Sequence, residues 1–85
     1  MDWNKELKND LFKRVERLDA KNKGNYKQTM NDIIKGRPNE HISVDKSKVF
    51  TSVTISKNLS RNGIQGRGNA TINFRKDGGI DSIMY

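Results

Sequence analysis

The sequence predicts an α+β domain: an N-terminal helical hairpin packed on a small antiparallel sheet of three or four strands. Three observations predict it. Apolar residues recur every three or four positions over the first 35 residues, and every second position after Pro38. Gly36 and Pro38 stand where the period changes, and neither suits a continuing helix. The helical segments come first and the strand segments second, which favours an antiparallel sheet covered on one face over a parallel βαβ arrangement. At 85 residues the chain makes a single domain, 1–85.

The first helix is expected over about 2–22. Trp3, Leu7, Leu11, Val15 and Leu18 fall on one face, and Phe12 widens that stripe. Asp2 is a suitable N-cap and Gly24 a suitable residue beyond the C-terminus. Lys and Arg alternate with Asp and Glu on the remaining surface, as expected of a solvated face. A second helix is expected over 25–35, capped by Asn25, with Tyr26, Met30, Ile33 and Ile34 on a shared face. The short break at Lys23-Gly24-Asn25 makes the two an αα-hairpin.

Strands follow at about 42–44, 48–56, 69–76 and 80–85. Val49, Thr51, Val53 and Ile55 alternate with Phe50, Ser52, Thr54 and Ser56, a β-branched pattern with one apolar face. Ala70, Ile72 and Phe74 alternate with Thr71, Asn73 and Arg75. Residues 57–68 hold three glycines and read as a turn-rich loop. Asp77-Gly78-Gly79 reads as the turn of a hairpin whose returning strand starts at Ile80. The expected core packs Trp3, Leu7, Leu11, Val15, Leu18, Met30, Ile33 and Ile34 against Val49, Val53, Ile55, Ile72 and Phe74.

Composition bounds the function. Leu, Ile, Val and Phe supply 19 of the 85 residues, just above the roughly one-fifth below which a highly charged chain stays unfolded. No cysteine is present, which excludes a disulfide framework, a thiolate zinc site and a thiol nucleophile. His41 is the only histidine, so one chain has no two-histidine metal site; no metal and no cofactor is expected. No apolar run approaches the ~18 residues of a membrane span. The start of the chain lacks the apolar stretch of a secretory signal. The expectation is a cytoplasmic protein with no membrane partner.

Charge is the largest functional signal. Seventeen Lys and Arg face ten Asp and Glu, a formal charge of +7. In residues 41–85 the imbalance is seven to three. Lys46, Lys48, Lys57, Arg61, Arg67, Arg75 and Lys76 are the cations concerned. Gathered on one sheet face, they would attract a phosphate backbone by Coulomb steering and counterion release. The segment Arg61–Asn69 adds glycines that let backbone N–H groups approach an anion, and two arginines suited to bidentate phosphate contacts. Phe50 or Phe74 stacked on a base would suit a single-strand binder, with burial in so thin a core as the leading expectation for each. The first expectation is therefore a small nucleic-acid-binding module, for RNA or single-stranded DNA.

Two other functions fit the same residues. A metal-independent ribonuclease needs an acid, a base and a cation for the phosphate in the transition state. Glu40 and His41 are the candidates for acid–base chemistry. The order of helices followed by an antiparallel sheet is similar to that of barnase-like and toxin ribonucleases. That similarity is one of element order, and a fold does not carry a function with it. The third function is a small protein-binding inhibitor or phage-type effector that docks on an acidic partner.

Overall fold

In the computed structural model, residues 1–85 form two helices followed by four strands. Helix α1 spans Trp3–Lys21 and α2 spans Tyr26–Lys35. Strands β1 (His41–Lys46), β2 (Phe50–Arg61), β3 (Ile64–Arg75) and β4 (Ile80–Met84) form one antiparallel sheet in the order β1-β2-β3-β4. The helices lie on one face of the sheet, α1 against β3 and α2 beside α1. The expected architecture is the observed one. Neither helix is long and apolar enough to cross a membrane.

Local chemistry sets the helix ends. The Asp2 side chain accepts from the Lys5 N–H at 3.1 Å, and the Asn25 side chain accepts from the Gln28 N–H at 3.2 Å. Each cap satisfies an N–H that has no partner within its helix. Between the helices, Asn22 donates its side-chain amide to Thr29 (3.2 Å) and to Asp32 (3.1 Å), pinning the hairpin. Gly36 ends α2 at φ 70°, a conformation that costs most residues a clash at Cβ.

The β2–β3 hairpin is longer than the sequence pattern suggests. Residues 57–61 and 64–68 are strand, not loop, and pair from Lys57↔Gly68 to Arg61↔Ile64. Asn62 (φ 51°) and Gly63 (φ 79°) alone make the turn. Both φ values are positive, as a two-residue primed turn requires. Alternation was hidden here because the helix-facing positions of β3 are the glycines Gly66 and Gly68, which carry no side chain to register as apolar. Opposite Gly66, Leu59 is buried and belongs to the core.

Those two glycines set how closely α1 approaches the sheet. A Cβ at Gly66 would fall on the Trp3 indole, and one at Gly68 would lie 2.6 Å from the Trp3 carbonyl oxygen. A backbone atom cannot swing aside, so Gly68→Ala must lift the start of α1. We expect a loss of about 1–3 kcal/mol, the usual range for overpacking. In a domain this size that lowers the melting temperature by about 4–24 °C, at about 4–8 °C per kcal/mol. An unchanged melting temperature would show that α1 does not seat on Gly68.

The core contains Leu7, Leu11, Val15, Ile33, Val53, Ile55, Leu59, Ala70, Ile72, Phe74 and Ile83, with Trp3, Leu18, Met30, Ile34, Ile42 and Ile80 packed around it. Three sequence expectations fail. Val49 is exposed, because it sits in the β1–β2 turn where the Ser47 hydroxyl accepts from the N–H groups of Val49 and Phe50. Tyr26 is exposed at the first turn of α2. Phe12 does not widen the buried stripe; 57% of it faces solvent.

No element covers the other face of the sheet. It is built of hydroxyls and amides that satisfy one another across strands. Ser52 donates to Asn73 at 2.7 Å, Asn73 donates to Ser82 at 3.1 Å, and the Thr54 and Thr71 hydroxyls lie 2.9 Å apart. Such cross-strand pairs stabilise a sheet without apolar cover. The β3–β4 connection has one left-handed glycine, Gly78 (φ 91°). Asp77 accepts from the Gly79 N–H at 2.8 Å and supplies the rest of the turn.

Candidate functional site

The structure does not gather the seven cations of the strand half. Register assigns Lys57 and Arg61 to the helix-facing side of β2, and Arg67 and Arg75 to the open face of β3. Arg61 reaches α1 and pairs with Asp10 at 2.6 Å and Glu6 at 3.4 Å. The Asp10 hydrogen bond and charge, aided by Glu6, hold the Arg61 guanidinium charged more firmly than usual. Arg67 donates to the Asn58 side chain at 3.2 Å. Arg75 donates to the Ile80 carbonyl at 2.9 Å and lies 3.4 Å from Asp77. Lys76 reaches the Phe50 carbonyl at the start of β2, Lys46 ends β1, and Lys48 lies in the exposed β1–β2 turn. A continuous cationic sheet face is not formed. Period-two alternation deals the charges to both faces, and the carboxylates of α1 neutralise part of the inner set.

Glu40 and His41 also part company. His41 starts β1 opposite Ser56, on the open face, and is exposed. Glu40 turns to the helix side, where its side chain is 1% exposed. Neighbouring residues at a strand end point to opposite faces. Phe74 is fully buried and has no surface to offer a base. Phe50 stands half-buried on the open face, beside Arg75.

The basic site is elsewhere. A cleft of about 220 Å³ opens between α1, the α2–β1 connection and β2. Lys13, Arg14 and Arg17 line it from α1, Arg37 from the connection and Lys57 from β2, with Asp10 and Glu40 as its only carboxylates. Glu40 forms its floor. Arg14 donates to it at 2.7 Å, the Arg37 N–H at 2.9 Å, and Lys57 at 3.4 Å. Burial alone pushes the Glu40 carboxyl up. The Arg14 hydrogen bond and charge, the Arg37 N–H and the Lys57 charge outweigh it and hold the carboxyl below the ordinary glutamate range.

Both carboxylates of the cleft are therefore engaged, Glu40 by Arg14 and Lys57, and Asp10 by Arg61. Lys13, Arg17 and Arg37 are exposed and have no carboxylate within ion-pair distance. Three free cations around a concave mouth, above a floor that already has its counter-charge, attract an anion. Arg14, buried with its charge, belongs to the foundation of this site. The sequence carried one sign of that: Arg14 lies three residues beyond Leu11 and seven beyond Leu7, on the buried stripe rather than off it.

Comparison of the chain with protein-family models, with curated proteins and with solved structures gave no match.

Proposed function

We propose that this protein binds nucleic acid, RNA or single-stranded DNA, and that the cleft of Lys13, Arg17 and Arg37 holds its phosphates. The observation that carries this reading is the three unpaired cations around a cleft whose two carboxylates already have partners. A net charge of +7 supports it, because a phosphate chain rewards charge spread along a surface. Guanidinium groups at the mouth suit the bidentate geometry of phosphate oxygens. Acid–base cleavage of the bound chain has less support. Glu40 is held as an anion by three donors, and His41 lies across the sheet from it.

Binding of a short labelled single-stranded oligonucleotide, read by fluorescence anisotropy over about 50 to 200 mM salt, tests the proposal. Affinity should fall steeply with salt. Arg17→Ala with Arg37→Ala should weaken binding and reduce the slope of log K against log salt by about 1.4, at roughly 0.7 per phosphate contact on a single strand. Arg67→Ala with Arg75→Ala, on the open sheet face, should leave the slope unchanged. No binding at low salt would end the proposal, as would a loss confined to the sheet-face pair. An acidic protein captured after nuclease treatment, with no oligonucleotide binding, would favour a protein partner.

A further inference from the structure

We infer that the ligand of the cleft is single-stranded and that one of its bases stacks on Phe12. This rests on the nucleic-acid reading of the cleft and specifies its substrate. Phe12 is the anomaly of α1. In a chain so poor in apolar residues, an aromatic ring on the central turns of the longest helix stands 57% exposed, although the buried stripe is one position away at Leu11. No packing role accounts for it.

Its surroundings are those of a stacking platform. Phe12 borders a shallow hollow with Lys8, Asn9, Lys13 and Glu16. Lys13 lines this hollow and the basic cleft alike, so one cation joins the two. On the other flank, the Lys8 ammonium sits 5.3 Å from the centre of the Tyr85 ring, and Tyr85 is itself 60% exposed. Exposed rings and lysines thus alternate along the surface that leads away from the cleft. A single strand presents this complement, with phosphates for the cations and a base face for the ring. A duplex keeps its base faces stacked inside and has none to give Phe12. Stacking is tolerant of base identity, so the platform implies little sequence preference.

Two strands of equal length and charge test this, one of thymidines and one of abasic residues. Wild-type protein should bind the thymidine strand about 5- to 150-fold more tightly, the usual worth of one stacked base. Phe12→Ala should abolish that preference and leave the salt slope intact, whereas Phe12→Trp should retain it. Phe12 is exposed, so both variants should melt as wild type does. Equal wild-type affinity for the two strands would overturn the platform while leaving the cleft reading intact. Failure to bind either strand would remove both. A preference that survives in Phe12→Ala would overturn the platform too, as would an effect of that variant on self-association alone.

Discussion

Glu40→Ala should cost about 3–5 kcal/mol of folding stability, the range seen when one partner of a buried ion pair is removed. The Glu40 side chain is 1% exposed and that of Arg14 is 8% exposed. Removing the carboxylate strands a guanidinium away from water and leaves the Arg37 N–H without its acceptor. A domain of this length holds only about 4–13 kcal/mol in all, so the variant should be largely unfolded by moderate urea. The loss does not measure what the pair contributes to wild-type stability. Arg14→Met with Glu40→Met removes both charges and fills the same space, and should recover most of the loss. Equilibrium urea unfolding followed by far-UV circular dichroism compares the three proteins. A single variant as stable as wild type would mean that Arg14 reaches water.

The same carboxylate gives stability a defined dependence on pH. The folded Glu40 carboxyl lies below 4.5, the ordinary glutamate value. A depressed folded pKa contributes stability that is fully present above the unfolded value and lost as pH falls through the folded one. Wild-type stability should therefore be flat near neutrality and decline below about pH 4.5. Asp32 adds to that decline with the same sign. The Asn22 and Gln28 hydrogen bonds and the charges of Lys21 and Lys35 lower its carboxyl. The methionine pair at 14 and 40 should show a shallower acid limb than wild type.

Much of the fold was legible in the sequence because its signals are local. Asp2, Asn25 and Gly36 mark helix boundaries through their own side chains or lack of one. Leu7, Leu11, Val15 and Ile33 report the helical period directly. The long hairpin was obscured because Gly66 and Gly68 occupy inward positions and leave no apolar mark. Their meaning depends on Trp3, more than sixty residues earlier in the chain. The site was less legible for a related reason. Net charge is a property of composition, but which cations stay free depends on which carboxylates lie beside them. Lys57 and Arg61 look available until α1 brings Asp10 and Glu6 to one, and the turn after α2 brings Glu40 to the other. Lys13, Arg17 and Arg37 belong to the half of the chain in which charge is nearer balance, and only folding leaves them without partners.

Phe74→Ala should be the other large loss, about 3–5 kcal/mol. Phe74 is the largest fully buried side chain. It pairs with Thr51 on β2 and sits where β3 and β4 shift register before Ile80. Neighbours held in a sheet cannot collapse far into the space it would leave, so the lost transfer energy and the cavity both count. Phe50, one residue before Thr51 on the paired strand, makes the control. It faces the open side opposite Arg75 and is half-buried. Phe50→Ala should cost well under half as much as Phe74→Ala if the sheet has one dry face. Urea unfolding followed by the fluorescence of Trp3, the only tryptophan, reads both variants, because α1 leaves the sheet when the core opens. Equal losses at the two positions would mean that the hydroxyl-and-amide face is covered in solution, and a second copy of the chain would then have to be sought on it.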